Sequence, residues 1–134
     1  MTEAFILLEK SQKIQELFRL RMDIDTIEKA TKISVRDYLG FGNVDKPLKV
    51  VKLSYGVYVG ELNADVNPHG RGISINFDGT LMMQYFDDGE CAPGNMISTR
   101  KGAIVVGAFK KKDGEDCLRC TLYDESGTIL KKIE

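Results

Sequence analysis

The residues best suited to chemistry are His69 and the glycines that follow it. The stretch from Tyr58 to Thr80 reads YVGELNADVNPHGRGISINFDGT. A Gly-x-Gly loop can hold a phosphate with its backbone N–H groups when it opens the N-terminus of a helix. Here the glycines lead into GISINF, which has the alternating pattern of a strand. The sequence therefore favours a structural hairpin, with His69 at its turn, over the alternative of a phosphate loop.

The three cysteines are the second candidate for chemistry. Cys117 and Cys120 form a C-x-x-C pair, and Cys91 lies apart from them. A zinc site needs four converging ligands, whereas strand alternation would send the paired thiols to opposite faces. We expect structural, reduced cysteines and no metal. No motif of nucleophilic or acid–base catalysis is visible, and FDDGE at 86–90 lacks the later glutamate of a calcium loop. The sequence predicts neither an enzyme nor a cofactor.

Composition limits the partners and the compartment. The chain has 134 residues, 43% of them hydrophobic, and a net charge of −1. This size suits one domain, or a small helical head on a β body. A strongly electrostatic nucleic-acid binder is usually basic, which this chain is not. The sequence has neither an 18-residue apolar run nor the basic start of a signal peptide. We expect a cytoplasmic protein.

Two periodicities divide the chain into a helical head at residues 1–41, a linker at 42–47 and a β body at 48–134. In the head, one set of residues recurs at helical spacing: Ala4, Leu7, Ser11, Ile14, Leu17 and Phe18. Asp25 with Glu28 resembles a capping box that starts a second helix, and Ser34 is an N-cap for a third. Gly40 and Gly42 end the helical pattern.

The β body contains seven short segments that are rich in β-branched and aromatic residues. They are separated by Gly, Asn and Asp, which is typical of antiparallel strands joined by hairpins. The segments lie at 48–55, 57–62, 72–77, 80–86, 103–109, 117–123 and 128–133. The predicted fold class is α+β, with an N-terminal helical head followed by an antiparallel β-meander.

The β body also repeats itself. Gly56, Gly79, Gly102 and Gly127 are spaced by 23, 23 and 25 residues, and each falls in a predicted turn. The strands YVGEL, MMQYF and VVGAF align at this period, with Gly60, Gln84 and Gly107 in equivalent places. The stretch Tyr-x-Gly, Gly-x-Gly and Asp-Gly resembles a MORN repeat. It departs from that pattern at Leu62, an aromatic position, and at Gln84, a glycine position.

The MORN resemblance implies a β-meander of about three hairpins that binds or scaffolds. We expect a non-catalytic adaptor or regulator with a protein partner, such as part of the transcription machinery. Its β-repeats would form a platform, and its head a recognition surface. The residues expected to contact the partner are Arg19, Arg21, Arg36 and Tyr38.

Two other partner classes remain open. The segment 25–40 resembles a helix-turn-helix, so the alternative is a sequence-specific DNA-binding transcriptional regulator. In that case Ser34 begins the recognition helix, Arg36 reads a guanine edge, and Lys29 and Lys32 contact phosphates. A membrane is not the expected partner, although Lys110, Lys111 and Lys112 form a short basic run that is able to meet anionic lipid.

Overall fold

The structure is a computed structural model that describes residues 6–41, 49–110 and 117–133. Its elements are β1 (Ile6–Leu7), α1 (Lys10–Thr31), α2 (Val35–Leu39), β2 (Lys49–Leu53), β3 (Gly56–Leu62), β4 (Pro68–Asn76), β5 (Leu81–Asp87), β6 (Glu90–Cys91), β7 (Gly94–Arg100), β8 (Ala103–Phe109), β9 (Cys117–Asp124) and β10 (Ile129–Ile133). In these residues the strands form one antiparallel sheet, with the order β1-β2-β3-β4-β5-β7-β8-β9-β10 and β6 paired to β5. The predicted α+β class is confirmed.

All seven predicted strand segments overlap strands of the sheet, and three further strands were missed. The missed strands β1 and β6 have only two residues each. The third, β7, reads GNMISTR, and its only apolar residues are the adjacent pair Met96 and Ile97, which shows no alternation although both are buried. The proposed linker at 42–47 lies outside the described residues.

The helical head differs from its prediction in two respects. Ile6–Leu7 pairs with β2 as a strand, so a helix that includes Leu7 is wrong. Asp25 does not start a second helix, because it lies inside the continuous helix α1. Residues 19–24 contain no glycine or proline to interrupt the helix. The predicted caps of the last helix, Ser34 and Gly40, are confirmed.

The main core lies between the two helices and one face of the sheet. Leu20, Ile27 and Ala30 of α1 are buried there, whereas Ile14 and Phe18 are 59% and 65% exposed. The apolar set at helical spacing therefore does not mark the buried side of the helix. Strand residues that complete this core are Val50, Val57, Val59, Ile73, Leu81, Met83, Ile97, Ile104 and Val106.

The opposite face of the sheet carries a smaller cluster around Tyr58, whose side chain is fully buried. Its ring packs edge-on against Phe86, and its hydroxyl donates to the Glu61 carbonyl at 2.6 Å. Gly60 pairs with Gly72, and Gly72 pairs with Gln84. A Cβ at Gly72 would lie 2.4 Å from the Tyr58 hydroxyl. These glycines are therefore needed to give Tyr58 its space, and burial raises the pKa of its hydroxyl far above the usual value.

The period of about 23 residues corresponds to two strands and their connections. Gly79, Gly102 and Gly127 lie in the β4–β5, β7–β8 and β9–β10 turns at positive φ, and Gly56 follows the β2–β3 turn. In a meander these four turns share one end of the sheet. The turns at 76–80 and 124–128 have the same backbone hydrogen bonds. In each turn, the N–H of the first residue donates to the carbonyl of the fifth, and the N–H of the fourth donates to the carbonyl of the first.

We expect Gly72→Ala to lower the free energy of unfolding by about 1–3 kcal/mol, because the added methyl group displaces the Tyr58 ring. Tyr58→Phe should cost about 1 kcal/mol, since it removes the hydrogen bond to Glu61. The double variant should lose nearly the sum, because the Cε1 atom of the ring lies 2.5 Å from the added Cβ and remains when the hydroxyl is removed. Urea unfolding followed by circular dichroism measures all three, and a double variant that loses no more than Gly72→Ala alone would contradict a clash with the ring.

The turn carboxylates predict acid sensitivity. Hydrogen bonds from Thr80 lower the pKa of Asp78, and those from Ser126 and Thr128 lower the pKa of Asp124. A lowered folded pKa means that the stabilisation is complete above the unfolded value of about 3.9 and is lost as pH falls through the folded value. We expect Asp78→Asn with Asp124→Asn to weaken the decline in unfolding free energy below pH 4. Chemical unfolding across pH 2–6 measures this decline, and an unchanged slope would count against the turns as its source.

Candidate interaction surfaces

Helix α2 is held by hydrogen bonds at both of its ends, to α1 at its N-terminus and to the sheet at its C-terminus. The backbone N–H of Val35 donates to the Glu28 carboxylate at 2.8 Å, and the Ser34 hydroxyl accepts from the Asp37 N–H at 3.4 Å. At the other end, the Tyr38 hydroxyl donates to the Gly107 carbonyl at 2.9 Å. Val35 and Leu39 are buried. Glu28, which was predicted to pair with Asp25 in a capping box, therefore caps α2 instead.

A second set of contacts joins the end of α2 to β3, β4 and β5. Arg71 forms an ion pair with Glu61, and its Nη1 donates to the Phe41 carbonyl at 2.7 Å. The Tyr85 hydroxyl donates to the Gly40 carbonyl at 2.8 Å, and its ring lies edge-on to Phe41. The side chains of Arg71 and Glu61 are only 20% and 23% exposed. The segment after α2 is thus held by a half-buried ion pair.

The residues of the DNA alternative lie at the junction of α1 and α2. Lys29, Lys32, Ser34 and Arg36 are all exposed, and Arg36 lies 3.8 Å from Asp37. Lys32 ends α1 in the left-handed conformation, with φ of 60°. Helix α2 has five residues, or about one and a half turns. The DNA-reading role of these residues stays a prediction.

The four residues expected to contact a protein partner do not form one surface. Arg19 lines a cleft of about 520 Å³ between α1 and the glycine turns, together with Asp23, Asp78 and Lys101. Burial raises the pKa of Asp23, and the charge of Arg19 opposes that shift. Arg21 is exposed on α1, Arg36 is exposed on α2, and Tyr38 is half-buried against the sheet.

Strand β10 forms an edge of the described sheet, where it pairs with β9. All five of its residues are exposed, including Ile129 at 48%, Leu130 at 55% and Ile133 at 45%. A cleft of about 280 Å³ runs beside it, lined by Ile33, Tyr38, Tyr123, Lys132 and Ile133 among others. No role of this edge was predicted from the sequence, although the pattern ILKKI combines apolar residues with two lysines.

The outer side of α1 carries a second exposed apolar surface, which we call the α1 stripe. It consists of Ile14, Phe18 and Met22, which are 59%, 65% and 57% exposed, with Leu17 beside them at 37%. They line a shallow groove with Gln15 and Arg19. The helical spacing of Ile14 and Phe18 was visible in the sequence, but which side of the helix faces the sheet was not.

His69 has a structural role and does not lie in a turn as predicted, because it is the second residue of β4. Its Nδ1 accepts a hydrogen bond from the Asp88 backbone at 3.1 Å. The Asp88 carboxylate accepts from Asn63 and Asn67 at 2.8 and 2.9 Å, and these bonds lower its pKa. The Gly70–Gly72 run continues into β4, as the strand pattern predicted. These contacts join the β3–β4 loop to the β5–β6 turn.

The cysteines and the lysine run lie only partly within the described residues. Cys91 and Cys120 are half-buried and outside any disulfide, while the side chain of Cys117 lies outside the described part of the chain. Lys110 is exposed, and Lys111 and Lys112 lie outside the described residues. Within 6–41, 49–110 and 117–133, the His, Cys, Asp and Glu side chains form no group of three that could hold a metal.

No family model, curated protein or solved structure matches this chain. The MORN and helix-turn-helix resemblances therefore remain predictions from sequence. In the described residues, neither helix has the length and apolar character needed to cross a bilayer.

Tyr38 and Arg36 should behave differently when they are substituted. We expect Tyr38→Phe to lower the free energy of unfolding by about 1 kcal/mol, because the Gly107 carbonyl loses its donor. Arg36→Ala should change it by less than about 0.5 kcal/mol, because the side chain is exposed. Thermal and urea unfolding of both variants tests this assignment. A larger loss for Arg36→Ala would mean that the two residues have been assigned the wrong roles.

Proposed function

We propose that the protein is a non-catalytic cytoplasmic adaptor that binds a partner protein at the β10 edge of its sheet. The observation that carries the proposal is that all five residues of β10 are exposed, its three apolar residues included. A protein can add a strand to such an edge, where backbone hydrogen bonds supply affinity and alternate side chains supply specificity. The MORN resemblance supports the same class of function, since it implies a binding platform.

The chemistry of the edge indicates the kind of segment that fits it. Lys131 and Lys132 place two positive charges at the middle of β10, between Leu130 and Ile133. An extended segment with acidic and apolar residues would complement both features. Two copies of β10 paired antiparallel about Lys131 would place like charges opposite each other, which is destabilising. The edge therefore favours a different chain over a second copy of itself.

The cleft beside β10 gives the added strand a place for a side chain. Ile33 and Tyr38 of the head line this cleft together with Tyr123 and Lys132 of the sheet. The head and the β body thus contribute to one surface. A non-catalytic role is consistent with the only histidine, His69, whose Nδ1 accepts a backbone hydrogen bond.

The experiment is affinity capture of partners from native lysate, with and without nuclease, followed by mass spectrometry. We compare the natural chain with Lys131→Glu/Lys132→Glu at the edge. The matched control is Lys29→Glu/Lys32→Glu, which makes the same change in charge on the exposed α1–α2 junction. We expect a stoichiometric protein partner that survives nuclease and is lost only in the β10 variant, by roughly tenfold or more.

Other outcomes separate the alternatives. Recovery of nucleic acid, with loss in the Lys29→Glu/Lys32→Glu variant, would overturn the proposal and favour the DNA-binding regulator. A nuclease-resistant partner that both variants retain equally would keep the adaptor function but exclude β10 as its site.

A further inference from the structure

The α1 stripe lies on the side of the helix that faces away from the core. Successive residues of a helix are rotated by about 100°, so Phe18 points about 200° away from Leu20, which is buried at 5% exposure. Ile14, Phe18 and Met22 are spaced by four residues and so form one continuous row. A helix with apolar residues on opposite sides is normally covered on both. The stripe therefore requires a second surface that the described residues do not supply.

The charges of α1 are distributed unevenly along the helix. The first helical turn has no acidic residue, and Lys10 and Lys13 lie at this end. Basic residues are disfavoured there by the helix dipole. Asp23 and Asp25 lie in the second half of the helix. Residues 10–20 carry a net charge of +2 and residues 21–31 a net charge of −1, with Lys29 in the last turn, so each half complements the other half of a second copy in the antiparallel direction.

We propose that the α1 stripe is the contact between two copies of this chain, packed antiparallel about Phe18. Phe18 would then face Phe18 of the second copy, and Ile14 would face Met22 of the second copy. Lys10 lies eight residues before Phe18, and Asp25 lies seven residues after it. In the antiparallel pair, Lys10 of one copy and Asp25 of the other are therefore within about 1.5 Å of each other along the helix axis.

The flanks of the helix agree with the same arrangement. Lys10 and Asp25 are fifteen residues apart, which places them about 60° apart around the helix. A two-fold axis between antiparallel helices brings the same flank of each copy together, so Lys10 meets Asp25 of the second copy twice. In a parallel pair, the two-fold axis runs along the helices and brings opposite flanks together, so Lys10 would not lie opposite Asp25 of the second copy. The charges therefore select the antiparallel pair.

This contact is independent of the adaptor function, since it uses neither β10 nor the α1–α2 junction. The first measurement is sedimentation velocity of the full chain over a range of concentrations. We expect a dimer, and we expect Phe18→Glu to convert it to a monomer with an unchanged circular dichroism spectrum, because Phe18 is exposed in each copy. The control is Gln12→Glu, which changes an exposed residue about 120° away around the helix.

The second measurement tests the direction of the helices by exchanging charges. Lys10→Glu and Asp25→Lys should each weaken the dimer by roughly tenfold, since each disrupts two ion pairs. Lys10→Glu also favours the helix dipole, so its effect cannot come from loss of the helix. The double variant should recover the natural dissociation constant to within about twofold.

Three results would overturn the proposal: a monomer at every concentration, a dimer that survives Phe18→Glu, or a double variant that stays as weak as the singles. A stripe covered by a different protein would give the first result. Capture at β10 would be unaffected in each case, so failure of the dimer and failure of the adaptor function are distinguishable.

Discussion

The structure depends on how a wide sheet is covered by a short helical head. One face of the sheet carries apolar residues from β2 to β8, and α1 is the only long helix in the described residues to cover them. A 22-residue helix is about 33 Å long, whereas nine strands about 4.8 Å apart span nearly 40 Å. The helix begins just after β1 at one edge of the described sheet and brings Ala30 beside Gly127 of the β9–β10 turn, so it crosses most of the sheet. Tyr38 holds α2 to the sheet, and Tyr85 and Arg71 hold the residues that follow it. The β10 edge and the outer side of α1 are left exposed by this arrangement.

The opposite face of the sheet is covered by its own side chains, because no described helix packs there. Tyr58 and Phe86 fill part of it, and the Gly60–Gly72 pair gives the tyrosine ring its space. Gln84 continues this row at 1% exposure, and neither polar atom of its side chain has a hydrogen-bond partner in the described residues. Gln84, which stands at a glycine position of the repeat pattern, is thus also a buried polar side chain without a hydrogen-bond partner in the described residues.

The repeating part of the chain was the easiest to predict, for a physical reason. Each hairpin needs a turn, and turns at positive φ favour glycine, so the period of the fold is visible as the spacing of Gly79, Gly102 and Gly127. The orientation of α1 was not readable, because Leu20 and Ile27 on one side are as apolar as Ile14 and Phe18 on the other. Only the tertiary packing decides which side is buried. For the same reason, the arginines chosen from sequence lie on separate surfaces, while the exposed apolar residues define both proposed contacts.

The two proposed contacts have a joint geometric consequence. The carbonyl of Ala30, near the end of α1, lies beside Gly127, just before β10; a Cβ at Gly127 would lie 2.7 Å from it. Ala30 is twelve residues from Phe18, or about 18 Å along the helix. A two-fold axis at Phe18 therefore places the two β9–β10 turns about 36 Å apart along the helix pair. A partner with two acidic strands would need a linker of at least about 11 extended residues to reach both edges. Binding of the first strand would then raise the effective concentration of the second to the millimolar range, so that two weak edges bind as one tight site.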